Sequence, residues 1–342
     1  GASMPSVHSP SSLEELGTRP LRYFFRDVLH VERPEPEPGP DHLAPRLLGT
    51  AVHQLLHDLY AQLAREQAFE QEPAALQARA AALLQTRWES WVAALIGRHI
   101  LRLPFLWREE ARRWKRAIST FIAADLATIA DEGWQPVDFE LHVQRALELG
   151  HGTVLPVRGI FDRLLQQRGR RCVGDYKTGR ADLKSRVGVT NMLRGIALQV
   201  PLYRMLAAAP GTDHPSDEEL QVELLRIGLT DREAGEAPAR RVLFAGFDAT
   251  AQDDGFRETL RVLASLLRAG CFPLHHDGRI CDHCDYALAC RTNHVPTRER
   301  EAHAVDGADF RDIKAKTATK ETLLAGVRAA AARPPAGDEE TP

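Results

Sequence analysis

No apolar run in this chain of 342 residues approaches the ~20 that a membrane-spanning helix needs. The first residues, Gly1-Ala2-Ser3 and a polar stretch rich in Ser and Pro, lack the apolar centre of a signal peptide. Cysteine is scarce and odd in number, five in all, which argues against a secreted disulfide scaffold. Neither sign of charge dominates, because 44 Lys and Arg stand against 47 Asp and Glu for a net of −3. Bulk charge therefore does not announce a nucleic-acid binder, although a basic groove can sit on a neutral protein. No Gly-x-x-x-x-Gly-Lys-Ser/Thr loop occurs, which excludes a nucleotide-driven motor of that type, and there is no internal repeat. These absences leave a globular, cytoplasmic protein as the expectation. Its length sets a prior of one large domain or two small ones, and its 44% of hydrophobic residues is enough for a sizeable buried core.

Lysine is the other scarcity. Only Lys115, Lys177, Lys184, Lys314, Lys316 and Lys320 occur among the 44 basic residues, so a Lys where the chain usually places Arg marks a specific need for a compact ammonium.

The apolar pattern predicts alternating helices and strands. Ser9-Pro10-Ser11-Ser12 offers helix N-caps ahead of a mildly amphipathic stretch from Leu13 to His30, and Pro34 to Pro40 is a Pro/Glu linker. Leu48, Val52, Leu55, Leu56, Leu59 and Leu63 repeat at helical spacing, with His53 on the flank of that stripe. Residues 73–130 are helical, and strands follow at Val137 to Val143, Val154 to Leu165, Cys172 to Tyr176 and Gln221 to Leu229. Helices are expected at 192–208 and from Arg257 to Ala269.

The most informative stretch is Arg158-Gly159-Ile160-Phe161-Asp162-Arg163 followed by Gly174-Asp175-Tyr176-Lys177-Thr178-Gly179. A hairpin closed by Arg168-Gly169 sets Asp162 opposite Asp175, whereas a four-residue loop sets Asp162 opposite Lys177. Side chains alternate along a strand, so either register keeps Asp162, Asp175 and Lys177 on one face. Two carboxylates a strand apart are hard oxygen ligands for Mg²⁺ or Mn²⁺, and a neighbouring Lys can orient water and offset transition-state charge. An ordinary solvated sheet face with an Asp–Lys pair has the same local pattern.

Four motifs in order extend this stretch: Gly49-Thr50-Ala51-Val52-His53, Gly159 to Arg163, Asp175-Tyr176-Lys177-Thr178-Gly179 and Gln199-Val200-Pro201-Leu202-Tyr203. Together they resemble the PD-(D/E)XK nuclease superfamily, specifically its RecB/AddB/Cas4-like branch, from about Ser9 to Arg291. The resemblance implies an α/β fold, with a restriction-endonuclease-like core in which a mixed central β-sheet is flanked by helices and carries a helical insertion. It implies that Asp162 and Asp175 are metal ligands, that the Tyr176 carbonyl completes the shell and that Lys177 is the catalytic lysine. His53 would be a further ligand or water-orienting group. Gln199 and Tyr203 would brace the site and contact DNA, and Glu140 in the preceding strand is a weaker candidate ligand. The implied organisation is an N-terminal segment and linker over 1–46, a nuclease domain over 47–291 with the insertion at about 66–130, and a charged tail over 292–342.

Cys281, Cys284 and Cys290 stand in C-x₂-C-x₅-C spacing, which suits a soft-metal centre, either a [4Fe–4S] cluster or structural Zn²⁺. The alternative is three reduced, partly buried cysteines with no metal. The resemblance favours iron–sulfur, but the N-terminal cysteine that the family uses as fourth ligand is replaced by Arg19. Cys271 is the favoured substitute, ahead of His275, His276, His283 and His294. Cys172 reads as a buried strand residue.

The basic residues cluster between Arg98 and Arg116, where Arg98, Arg102, Arg108, Arg112, Arg113, Lys115 and Arg116 face only Glu109 and Glu110. Arg112 and Arg113 are expected to track a DNA backbone. The function expected is a Mg²⁺/Mn²⁺-dependent deoxyribonuclease, an exonuclease on single-stranded DNA or DNA ends, in repair, recombination or defence. A helicase or other repair subunit is the expected partner. The alternatives are a catalytically silent DNA-binding or scaffold subunit and a zinc-binding interaction module.

Overall fold

The computed structural model describes residues 4–31, 43–98, 104–179, 182–208, 220–228, 241–275, 281, 284–291, 294–297, 299 and 307–316. Five strands, β1 (Gln135–Glu148), β2 (Val154–Gln167), β3 (Arg170–Lys177), β4 (Leu220–Arg226) and β5 (Arg241–Phe244), are hydrogen-bonded in chain order. β1, β2 and β3 form an antiparallel meander, β4 runs parallel to β3, and β5 returns antiparallel. A parallel step needs a crossover, which α6 (Leu183–Arg186), α7 (Val189–Leu193) and α8 (Gln199–Ala207) supply. The expected mixed α/β architecture is present.

Each face of the sheet carries its own core. On one side lie α8, α9 (Thr250–Ala269) and α1 (Pro10–Thr18), which contributes Leu13 and Leu16. Tyr23, at the end of α2 (Pro20–Tyr23), is buried in the same core. On the other side are α3 (Pro45–Arg65), α4 (Pro73–Arg98) and α5 (Pro104–Glu132), with Leu56, Trp88, Trp107 and Ile118 buried among them. The N-terminal segment is thus an integral part of the core on the α8/α9 side. Short α10 (Ala287–Cys290) follows α9, and α11 (Ala308–Ala315), inside the stretch expected as tail, buries Phe310 and Ile313 at i, i+3 spacing.

Three other expectations are corrected. The helix expected over 192–208 is interrupted between Leu193 and Gln199. Gly195 there has a left-handed φ of 69°. A side chain on Gly17 of α1 would meet its carbonyl at 2.1 Å, so two chain segments cross where only glycine fits. The basic segment is not one helix, because α4 ends at Arg98 and α5 begins at Pro104; Arg102 lies outside the described residues. β5 was not foreseen.

The hairpin between β2 and β3 turns on Arg168 and Gly169, both left-handed with φ of 42° and 86°, the backbone that suits the twist of a two-residue loop. Gln167 pairs with Arg170 and Arg163 with Gly174, where the ladder ends; continued by one step, that register sets Asp162 opposite Asp175. This is the tighter of the two expected registers.

Behind Asp162, the Arg163 side chain is buried, 2% exposed, and donates to Asp125 of α5 at 2.5 Å and to Glu223 of β4 at 2.5 Å. Gly174 makes room for it, since a Cβ there would lie 2.6 Å from the Arg163 side chain. Tyr60 of α3 donates to the same Asp125 carboxylate, and Arg241 clamps Glu223 from β5. Burial works to raise the Glu223 carboxyl, but Arg163 and Arg241 more than offset it and hold it below the usual carboxylate range. This network ties the helical layer to the sheet through charges that have no water. Replacing Arg163 by Met should strand two buried carboxylates and cost about 3–5 kcal/mol, read as a lower denaturant midpoint at unchanged slope. A loss below about 1 kcal/mol would show that the network contributes little.

Candidate active site

The site lies where β1 and β2 change their in–out alternation. Phe139 packs into the core under α3 to α5, whereas Leu141 and Val143 pack into the opposite one. On β2, Phe161 and Leu164 belong to the α8/α9 side and Leu165 to the other. Between these positions Glu140 has a left-handed φ of 53°, and the ladder passes from Phe139–Arg163 to Leu141–Phe161 without a Glu140–Asp162 pair. A non-glycine residue held in that region is strained backbone, of the kind that gathers at functional sites. It turns Asp162 out of the regular pleat: its Oδ2 accepts from the Tyr176 amide at 2.5 Å, so the carboxylate takes a backbone donor of β3.

His53, Asp162, Asp175, Lys177 and Gln199 come together from α3, β2, β3 and α8. His53 Nδ1 lies 3.0 Å from Asp162 Oδ1. Lys177 Nζ is 2.6 Å from Asp175 Oδ2 and donates to Gln199 Oε1 at 2.8 Å. Gln199 Nε2 in turn donates to Asp175 Oδ1 at 2.8 Å, closing a three-membered ring of side chains. Asp175 is 4% exposed. Burial raises its carboxyl above the usual range; Lys177 pulls it back and the Asp162 charge adds to the rise. Burial also opposes charge on His53, but the hydrogen bond to Asp162 and the charges of Asp162 and Asp175 outweigh it, leaving the imidazole above its ordinary value. The two acids are therefore each held by a base, with Lys177 and His53 still partly open to solvent.

Two supports were not read from the sequence. Glu14 Oε1 accepts from the amides of Leu198 and Gln199 at 2.8 and 2.9 Å, capping the start of α8 from a distant helix and fixing Gln199. A charge-bearing acceptor suits the exposed amides and dipole of a helix N-terminus. Gly159 is the other: a Cβ there would meet Leu206 at 3.0 Å and Tyr203 at 3.1 Å, so glycine lets α8 lie close on β2. Tyr203 is buried and donates to the Ile160 carbonyl at 2.8 Å. It braces the site rather than presenting a surface to DNA, which corrects that part of its expected role. The Tyr176 ring packs in the core beneath α3 and α5, leaving its backbone at the site. Glu140 makes no hydrogen bond or ion pair with the cluster among the described residues.

Among the described residues no group of three or more His, Cys, Asp or Glu side chains is arranged to hold a metal ion as it stands. The two carboxylates nevertheless match what Mg²⁺ asks of a protein, which is one or two carboxylates and room for water.

Cys281, Cys284 and Cys290 line a second, smaller pocket together with Arg19, Leu21, Arg22, Leu274, His275 and Ala287. Burial, followed by the neighbouring Cys284 and Cys281, pushes the Cys290 thiol up to about 11. Arg19 and Arg22 reach this wall while sharing the Glu15 carboxylate. Cys271 is not among the lining residues, being packed against the α8/α9 core. His275 is, whereas His276 and His283 lie outside the described residues. Cys172 is buried in the sheet, and burial raises its thiol far above the usual range. On α5, exposed Arg112 pairs with Glu109 at 2.7 Å, while Arg113 and Arg116, also exposed, line a larger cavity.

No curated protein matches the chain. Among solved structures, the crystal structure of SSO0001 is similar at 15% identity and a TM-score of 0.28, over 54% of this chain and 77% of that one. The family profile described as the PD-(D/E)XK nuclease superfamily matches residues 7–291, a span that includes His53, Asp162, Asp175, Lys177 and Gln199. The chain belongs to the PD-(D/E)XK nuclease superfamily.

Proposed function

We propose that the chain is a Mg²⁺- or Mn²⁺-dependent deoxyribonuclease of the RecB/AddB/Cas4-like branch, acting as an exonuclease on single-stranded DNA or DNA ends. The observation that carries this reading is the pair of facing carboxylates, Asp162 and buried Asp175, with Lys177 Nζ 2.6 Å from the latter. Asp162, Asp175 and the Tyr176 carbonyl would hold the ion. When bound, such an ion supplies Lewis-acid polarisation of the phosphate and acidifies water. Lys177 holds a positive charge where negative charge builds on the phosphoryl oxygens, and Gln199 fixes its direction. His53 steadies Asp162 and keeps a proton at Nδ1 or shares one with the carboxylate. Work in DNA repair, recombination or defence fits this chemistry. Because the sequence has no motor loop, strand separation would come from a helicase partner.

Labelled single- and double-stranded DNA incubated with Mg²⁺ or Mn²⁺ tests the reading. Lys177→Ala should lose about 100-fold or more in cleavage rate, and Asp175→Ala should lose cleavage altogether while keeping its circular dichroism spectrum. Normal cleavage by either variant would show that this is not the active site. A folded parent that binds DNA and never cleaves it would make the chain a silent DNA-binding or scaffold subunit instead.

We also propose a structural soft-metal centre held by Cys281, Cys284 and Cys290; their C-x₂-C-x₅-C spacing and shared pocket wall support it, and the thiols would close on the metal from positions not yet arranged for it. Thiolates suit iron–sulfur or Zn²⁺ rather than Mg²⁺, and His275 stands on the same wall as a fourth donor. Anaerobically purified protein should be brown if the centre is an iron–sulfur cluster, or colourless with one zinc per chain if it is Zn²⁺. Cys284→Ser should lose the metal and lower the thermal midpoint. Folded protein containing neither iron nor zinc would rule the centre out.

A further inference from the structure

The connection from α7 to α8 is held at both ends by side chains from elsewhere in the fold. Where α8 begins, Glu14 takes the Leu198 and Gln199 amides. Where α7 ends, its last carbonyls leave the helix without helical partners and need donors. Thr259 of α9, fully buried, donates to the Leu193 carbonyl at 2.6 Å. Lys314 of α11 donates to the Arg194 carbonyl at 2.7 Å. The contact is reciprocal, because Arg194 Nε donates to the Lys316 carbonyl at 2.7 Å. Lys316 Nζ donates to the Gly255 carbonyl at 3.2 Å and to Thr259 Oγ1 at 3.4 Å. The end of α11 therefore backs both capped carbonyls, one directly and one through Thr259.

The sequence of α11 suits this task. Phe310, Ile313 and Lys314 stand at i, i+3 and i+4, on one face of the helix, and the two apolar residues are buried. The Lys314 ammonium lies 5.2 Å from the Phe310 ring centre, a cation–π contact that fixes its direction. A cation is favoured at a helix C-terminus, and a compact ammonium fits a single carbonyl. Two of the chain's six lysines are used here. α11 lies beyond residues 7–291, so the family match does not account for it. The stretch from this clasp to Gln199 has little slack. A Cβ on Gly195 would lie 3.5 Å from Gly17 Cα and 3.5 Å from the Thr259 methyl. The Ile196 and Ala197 amides donate back to the Asn191 carbonyl at 2.8 and 3.2 Å, and Ala197 and Leu198 are buried. A shift at Arg194 is thus passed on to Gln199, whose amide joins Lys177 to Asp175.

We propose that Lys314, Lys316 and Arg194 form a clasp that positions Gln199, and through it Lys177, from outside the catalytic cluster. They act through Gln199 and are positioning residues. The proposal rests on the nuclease reading above and adds the element that sets the direction of its lysine. A misplacement of about 1 Å made far from the chemistry can cost about 100-fold in rate. With Glu14 still holding the other end of the connection, loss of the clasp should cost less than that.

Two measurements on the full chain test this. Amide hydrogen exchange, without DNA or divalent cations, reads the clasp itself, and cleavage of labelled DNA with Mg²⁺ or Mn²⁺ reads its consequence. Lys314→Ala leaves Phe310 and Ile313 in place, so the variant should fold. Its amides at 195–199, each hydrogen-bonded in the parent, should exchange about tenfold faster, while those of β3 keep the parental rate. Well below the variant's thermal midpoint, kcat should fall about tenfold with KM for DNA unchanged. Lys314→Arg, which keeps a cationic donor at that position, should restore both readouts toward the parent. Unchanged exchange at 195–199 overturns the clasp. Faster exchange with parental kcat, or a loss carried by KM, overturns its positioning role. Each of these leaves parental cleavage, and so the nuclease reading, standing. A parent that never cleaves DNA overturns the nuclease reading and the positioning role together.

Discussion

Two carboxylates facing each other across a hairpin, one of them almost without solvent, set an electrostatic problem that the surrounding residues solve. Asp162 and Asp175 repel, and burial makes charge on Asp175 costly. Lys177 sits against Asp175 and His53 against Asp162, so each acid has a base of its own. Gln199 joins Lys177 to Asp175 with both ends of its amide. Glu14 then fixes Gln199 by capping its helix, and Tyr203 fixes the same helix to β2 through the Ile160 carbonyl. The order in which these residues matter follows from their distance to the two acids. A divalent cation between the carboxylates would solve the same problem more completely, by charge, than an ammonium on one side can.

The layer behind the site solves a different one. Arg163 follows Asp162 in sequence and, with the pleat reversed at Glu140 and Asp162, enters the space beneath α5. There it meets Asp125 and Glu223, which need a cation as much as it needs them. The helical layer is thus coupled to the backbone beside Asp162 by paired charges in a dry interior, where loss of one partner is far more costly than loss of a surface pair. Asp125 and Arg241 of this network also line the larger cavity beside α5.

What the sequence made legible is what depends on local spacing. Period-2 alternation grouped Asp162, Asp175 and Lys177 in either of the two hairpin registers that the loop allowed, and the structure adopts the tighter one. The motif residues His53 and Gln199 were placed at the site by resemblance. The Arg163 network was not legible, because Asp125 and Glu223 lie 38 and 60 residues away, and an Asp-Arg pair on a strand reads as ordinary alternation. The cap by Glu14 is longer-range still, 185 residues from Gln199. β5 escaped because four residues, Arg241–Phe244, are too few to show a period. The break before Gln199 escaped because its cause is a glycine contact with another helix, while the local apolar pattern reads on as helix. The cysteine spacing is local, but the surroundings of each thiol are not: Cys271 packs partly buried against the α8/α9 core, while His275 stands on the pocket wall with Cys281, Cys284 and Cys290.

The central claim is that Asp162 and Asp175 together form a divalent-cation site. Anomalous X-ray scattering from crystals grown with Mn²⁺ tests it most directly. The account predicts a manganese peak between the two carboxylates and beside the Tyr176 carbonyl, with the Lys177 ammonium displaced from Asp175. Crystals that bind Mn²⁺ elsewhere, or that leave the Lys177–Asp175 ion pair intact with no peak between the acids, would contradict it.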